Sequence, residues 1–291
     1  MAPLFLAEIL AVIAAIAMAA GDVFGRFAIR HAPPFMGGFM SAVVGLVVFG
    51  AIWLAIPSQV PVNLPGVYWF LLAGIVHPSF GFIVVLKSFQ RIGVTRTAAI
   101  VGTSPLFSVL VAVAFLGERP GWIAAGGTGL IVLGVVFISQ GRGAKGPMRG
   151  KDMGYAILGA FLFGIVPVFR KLGMNYIPSA IFGMALSSLA GIVSLTATVR
   201  LFPAGERFSK QRKGVALYTA SGAIFALAVY LYFVALEKGT VSVVVPILFT
   251  YPLFVLAIAY FVLRQFERIT PRVACGAVLT VLGVFVISGF G

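Results

Sequence analysis

Residues 104–119 read SPLFSVLVAVAFLGER, and residues 251–268 read YPLFVLAIAYFVLRQFER. Pro105, Leu106 and Phe107 match Pro252, Leu253 and Phe254 at an offset of 147. Glu118-Arg119 matches Glu267-Arg268 at an offset of 149, and so does VLGVVFIS ending at Ser139 with VLGVFVIS ending at Ser288. Two inserted residues account for the drift. Each copy is an apolar helix with a proline near its start, a short charged turn, and a second, Gly-rich apolar helix. A unit of this size that recurs marks an internally repeated protein. Upstream, Gly37, Ser41 and Gly45 recur as Gly183, Ser187 and Gly191 at an offset of 146. Small residues four apart share one helix face and admit another backbone closely. The chain therefore divides into a first repeat (1–141), a basic linker (142–152) and a second repeat (153–291).

Composition sets the solvent. Of 291 residues, 61% are hydrophobic and 10% charged, against about 25% charged in soluble domains. Charges fall in short gaps between apolar runs of about 20 residues, the length that crosses a bilayer. Runs this long are helical rather than the ten-residue alternating strands of a barrel, so the chain reads as an all-α integral membrane protein. The formal charge of +14 raises nucleic acid as a partner. The basic residues sit at the ends of apolar runs, however, and no polar domain exists to host such a site. Cys275 is the single cysteine and lies inside an apolar run, as a small packed residue; neither a disulfide framework nor a cysteine metal site follows. No cofactor motif is present. Ala17-Met18-Ala19 resembles a signal-peptidase site, but no Lys or Arg precedes the apolar run. A cleaved signal needs that basic start, so the first helix is expected to be retained.

Ten spans are predicted, at about 4–26, 35–56, 67–88, 95–116, 121–140, 153–170, 178–202, 214–236, 240–263 and 270–289. Of the 21 basic residues, 17 fall in the turns after spans 1, 3, 5, 7 and 9, and 4 in the turns after spans 2, 4, 6 and 8. Lys and Arg concentrate in cytoplasmic loops, which places the odd turns in the cytoplasm and both termini outside. Equivalent turns carry opposite bias. Three basic residues follow span 3 and one follows span 8; one follows span 4 and three follow span 9. Five helices per repeat is an odd number, so the second repeat enters from the opposite side. Inverted repeats of this kind typify secondary transporters, with the site near the midplane between them.

The repeated unit resembles the EamA-type branch of the drug/metabolite transporter superfamily. The residues that carry the resemblance are Pro105, Gly117-Glu118-Arg119 and Val132-Leu133-Gly134 in the first half. In the second they are Pro252, Glu267-Arg268 and Val281-Leu282-Gly283. Within the family the chain is most similar to bacterial amino-acid and metabolite exporters, including the YddG-like group. The resemblance implies a ten-helix exporter in a bacterial inner membrane. It also implies a cavity lined by spans 1–4 and 6–9, with spans 5 and 10 peripheral. In the second copy Arg-Gln-Phe replaces the Leu-Gly before Glu267, so the Glu-Arg turn is expected to be structural, its two charges offsetting each other.

The candidate site is built around His77, about 16 Å into span 3 at 1.5 Å per residue. Pro78 follows it and removes a backbone donor, which is tolerated where the freed carbonyl lines a cavity or finds a partner. An ionisable group at this depth is a site hypothesis by default. Phe225 is its counterpart in the second repeat, at an offset of 148. Phe225, Tyr230 and Phe163 are expected to line an apolar cavity with His77 and to bind an amphipathic small molecule. Pro105, Pro167 and Pro252, with Asp22 in its i,i+4 pair with Arg26, are the candidate hinge and gating residues. Glu8 is expected to reach water at the outer interface. Basic residues are expected at helix ends rather than at mid-depth, which argues against a phosphate-bearing substrate. An intramembrane enzyme would need convergent nucleophile, base and oxyanion groups, and a channel would need a filter or a charged ring. Neither pattern is present, so a small-molecule substrate and the bilayer are the expected partners.

Overall fold

A computed structural model describes residues 2–55, 60–140, 150–262 and 271–290. Most of the linker and the Glu267-Arg268 turn lie outside these residues. Among the described residues the chain is helices joined by short turns, and the helices form ten spans. Span 1 is Ala2–Ala28, span 2 Pro34–Ala55, span 5 Trp122–Gln140, span 6 Gly150–Tyr176, span 7 Ala180–Thr198, span 8 Arg212–Lys238 and span 10 Pro271–Phe290. Span 3 runs through Leu64–Gly74, Ile75–Phe80 and Gly81–Ile92; span 4 is Val94–Val101 and Ser104–Leu116; span 9 is Val241–Leu248 and Tyr251–Val262. Among the described residues seven helices are long and apolar enough to cross a membrane, and Trp122–Ile138, Val241–Val255 and Pro271–Ile287 are shorter apolar ones. Trp122, Leu54 and Phe285 are exposed, as lipid-facing side chains should be.

Span 6 is longer than its charge pattern predicts. Arg170-Lys171 was expected to end it, yet the helix continues to Tyr176. Lys171 reaches backbone carbonyls at the end of span 8 and Arg170 stands against aromatic rings of the same span, so neither has to reach water. The chain turns at Ile177-Pro178 instead, where the proline disfavours helical geometry in the residue before it.

Helix contacts show the inversion directly. A Cβ on Gly127 would meet the Gly283 carbonyl oxygen at 2.9 Å, and one on Gly134 would meet the Gly276 carbonyl oxygen at 2.6 Å. One index rises by seven while the other falls by seven, so spans 5 and 10 are antiparallel. They are equivalent helices, so the two repeats are inverted. The seam is reciprocal, because Gly127 corresponds to Gly276 and Gly134 to Gly283. These glycines therefore pack within one chain. Spans 1 and 8 meet the same way, with Gly239 against Ala7, Gly21 against Phe225 and Gly214 against Ala32. Spans 6 and 3 repeat that pairing, with Gly159 against Val85, Gly173 against Phe70 and Gly66 against Ile177.

Spans 4 and 9 are broken at equivalent points with equivalent hydrogen bonds. In span 4, Gly102 N donates to Ala98 O (2.9 Å), Thr103 N to Ile100 O (3.0 Å) and Leu106 N to Thr103 O (3.0 Å). In span 9, Phe249 N donates to Val245 O (3.0 Å), Thr250 N to Ile247 O (3.1 Å) and Leu253 N to Thr250 O (2.9 Å). The threonine hydroxyls add Thr103 Oγ1 to Ile100 O at 2.6 Å and Thr250 Oγ1 to Ile247 O at 2.7 Å. Pro105 and Pro252 explain the break: each lacks the N–H that would continue the ladder. In span 4 the carbonyl so freed, Val101 O, accepts from Ser104 Oγ at 2.5 Å. The shared motif is Thr-x-Pro-Leu-Phe. Pro167, by contrast, sits inside an uninterrupted span 6.

Candidate functional site

A cavity of about 470 Å³ lies between the repeats. Its lining comes from spans 1, 2 and 3 and from spans 6, 7 and 8. Spans 4 and 9, implied as lining by the resemblance, stand behind it. Along span 2 the lining runs from Pro34 to Phe49, fifteen residues or about 22 Å of helix. The cavity therefore reaches from the turn after span 1 past mid-depth. Beyond Phe49 the path is filled by aromatic rings. Trp53 packs on Phe182 at 4.9 Å between centroids, Phe70 on Phe182 at 6.3 Å, Phe70 on Phe233 at 6.4 Å, and Phe49 on Tyr230 at 6.1 Å. Phe70 is fully buried and wedged between Gly173 and Gly183, whose Cβ positions lie 2.6 and 2.5 Å from its ring.

The sealed face is also tied across the repeats. Glu118 accepts from Val241 N and Ser242 N at 2.8 Å each and from Ser242 Oγ at 2.5 Å. A carboxylate from the turn after span 4 thus caps the N-terminus of span 9, satisfying N–H groups the helix cannot and meeting its positive dipole end. This differs from the expected offsetting of Glu118 by Arg119. Lys171 Nζ donates to Leu236 O, and to Gly239 O at 2.9 Å, closing the C-terminus of span 8. Glu8, expected to reach water, is buried beside the Ala7–Gly239 contact. Cys275, expected to be packed, is exposed.

His77 lines the cavity, as does Phe225. The His77 backbone is extended inside the helical stretch, at φ −127° and ψ 118°. Pro78 is the cause, since a residue before proline is driven from the helical region into this one. The imidazole meets Phe163 edge-on at 5.3 Å between centroids. Phe163 itself packs against Gly81, one layer behind the lining. Tyr230 is likewise one layer back, stacked on the cavity residue Phe49. Asp22 and Arg26 both line the cavity toward its mouth. Tyr251, beside the break in span 9, lies within electrostatic reach of both. The structure thus brings His77, Phe225 and Asp22 to one surface, sets Phe163 and Tyr230 behind it, and leaves Pro105, Pro167 and Pro252 outside it.

Arg170 is the residue that sequence reading missed. It lines the cavity from inside span 6, six residues before the helix ends at Tyr176, so basic residues are not confined to helix ends. Its guanidinium stands 5.1 Å from the Phe233 ring centroid and 5.6 Å from that of Tyr232, a cation–π arrangement. Its Nε and the Tyr232 hydroxyl are buried without hydrogen-bond partners. Among the described residues no carboxylate pairs with it. The repeat contacts align Arg170 with Gly25, at an offset of 145, so the fold supplies this cation once.

Inverted five-helix repeats around one central cavity, sealed toward one face, define a membrane transporter. The chain belongs to the EamA-like transporter family, whose profile matches residues 5–140 and again 151–289. One solved crystal structure of a protein aligns with a TM-score of 0.80 at 16% identity, covering 98% of this chain and 99% of that one; this likeness concerns the fold alone. No curated protein matches the chain by sequence.

Proposed function

We propose that the protein is a secondary exporter of small metabolites, amino acids being the first class to test, working by alternating access through the central cavity. The observation that carries this reading is a cavity that runs from one face past mid-depth and stops at an aromatic layer. A carrier needs a site reachable from one side at a time, whereas a channel needs a continuous path. The repeats are taken as 1–141 and 153–291, joined by a cytoplasmic linker at 142–152. With the odd turns in the cytoplasm of a bacterial inner membrane and both termini outside, the cavity opens inward, the loading state of an exporter. His77 and Phe225 line the path of the substrate, with Phe163 and Tyr230 supporting them. The duplicated breaks at Pro105 and Pro252 serve as hinges, Pro167 is a further hinge in span 6, and Asp22 gates the mouth.

The test is counterflow in proteoliposomes loaded with unlabelled amino acids and diluted into labelled ones. Saturable uptake that requires internal substrate supports the carrier. Uptake that stays linear with concentration and ignores the internal solution refutes it in favour of a channel, and conversion of the substrate refutes it in favour of an enzyme.

A further inference from the structure

We infer that Arg170 is a carboxylate-recognition residue and that the cavity takes organic monocarboxylates with an apolar body, whether or not they carry an amine. The inference rests on the transport reading and gives it a substrate class.

The argument begins with charge. A cation buried inside a membrane span is costly, and such groups pair with one another or mark a substrate path. Arg170 stands against Phe233 and Tyr232, and among the described residues no carboxylate meets it. Rings contribute electrostatic attraction but no hydrogen-bond acceptor in the guanidinium plane. Buried polar atoms nearly always have partners, yet Arg170 Nε lacks one. A guanidinium nitrogen can only donate, so the missing partner is an acceptor. A carboxylate offers two oxygens in the spacing that a guanidinium fork matches.

Charge balance selects among anions. Asp22 and Arg26 lie one helical turn apart on the cavity surface and offset each other. One unbalanced cation, Arg170, remains among the described lining residues. A monocarboxylate cancels it. A phosphate monoester, which carries about −1.5 to −2, would leave excess negative charge among Phe49, Phe225 and Phe233.

Geometry then sets what is not read. The amine of an α-amino acid lies within a few bonds of its carboxylate. The cavity's own carboxylate, Asp22, adjoins Gly21, which packs on Phe225, whereas Arg170 stands on Phe233. Those rings are eight residues apart on span 8, about 12 Å along the helix. An ammonium beside a carboxylate on Arg170 cannot reach Asp22. At that depth it finds the hydroxyls of Ser187 and Ser188 and the His77 ring, none of them anionic. The body of the ligand faces phenyl rings, which bury apolar surface without asking for polar groups.

The experiment uses the purified full-length protein in detergent and a matched series of probes, read by ligand-induced thermal stabilisation. The probes are 3-phenylpropanoate, phenylalanine, phenylalaninamide and phenyl phosphate. The inference expects 3-phenylpropanoate to bind at least as tightly as phenylalanine, and the other two to bind at least tenfold more weakly. R170Q should weaken 3-phenylpropanoate roughly tenfold to hundredfold, the loss of a charged hydrogen-bonded pair. R170K, which keeps the charge and loses the planar fork, should weaken it severalfold without loss of fold. If R170Q does not fold, the wild-type series and R170K still decide. Equal binding of phenylalaninamide and phenylalanine would overturn the inference, as would an R170Q protein that folds and keeps the wild-type preference. The same protein in proteoliposomes separates the two readings. Arg170-dependent binding without any counterflow refutes the transporter and leaves the carboxylate site standing. Counterflow indifferent to R170Q does the reverse.

Discussion

Replacing Glu118 with Ala should open the sealed face. The carboxylate accepts three hydrogen bonds, at 2.8, 2.8 and 2.5 Å, from Val241 N, Ser242 N and Ser242 Oγ. Val241 and Ser242 are buried, so water does not freely replace it. A hydrogen bond to a charged group contributes about 1.5–3 kcal/mol, and a lost N-cap costs about 0.5–2 kcal/mol. The three bonds share one side chain and are not additive, so about 3 kcal/mol is the reasonable total. Glu118 belongs to the first repeat and its donors to the second. The bonds therefore exist in the sealed arrangement and are lost when the repeats part on that face. At about 1.4 kcal/mol per tenfold, 3 kcal/mol is roughly a hundredfold shift toward opening. The assay is the rate at which an impermeant thiol reagent, applied from the sealed side, labels a cysteine in place of Met184, a buried residue of the cavity lining on span 7, in a Cys275→Ala background. E118A should raise that rate roughly a hundredfold; E118Q, which keeps one acceptor oxygen, should raise it less. If E118A lowers the thermal midpoint and leaves the labelling rate unchanged, Glu118 is a static staple and the reasoning fails.

Gly134→Ala should destabilise the fold by about 1–3 kcal/mol, because its Cβ would lie 2.6 Å from the Gly276 carbonyl oxygen; Gly126→Ala, whose Cβ would meet nothing within 4 Å, should not. Thermal unfolding in detergent compares the two, and equal effects would refute the seam. His77→Ala should raise the half-saturating substrate concentration roughly tenfold to hundredfold while expression and insertion hold; an unstable variant would mark the imidazole as structural. A cysteine at Gly205, exposed in the turn after span 7, should resist an impermeant thiol reagent added to spheroplasts once Cys275 is removed, whereas one at Arg119 should react. The opposite pattern would invert the topology.

The architecture was legible because duplication leaves a linear record. Pro105 and Pro252 announce the broken helices, and the odd helix count with opposite loop charges announces the inversion. His77 was legible because depth and a following proline are both local properties. Arg170 was not. It neighbours Lys171, and two adjacent cations at the end of an apolar run read as an interface. Adjacent helical residues point about 100° apart, so one enters the cavity while the other closes span 8. That span 6 needs the residues up to Ile177-Pro178 to finish its crossing was the available signal. The repeat marked Glu118 but not its role, since its partners lie more than 120 residues away and any exposed helix start would have suited it. The layer that each aromatic occupies depends on side-chain packing, which explains why Phe225 lines the cavity while Phe163 and Tyr230 stand behind it.

The glycine seam between spans 5 and 10 has a mechanical meaning. Its two contacts, Gly127 with Gly283 and Gly134 with Gly276, are exchanged by the same twofold operation that relates the repeats. If the halves trade shapes, each contact becomes the other and the seam as a whole is unchanged. In the proposed alternating-access cycle the pair of helices would act as an axle: exchanging the two arrangements by the twofold leaves this backbone-to-backbone joint intact.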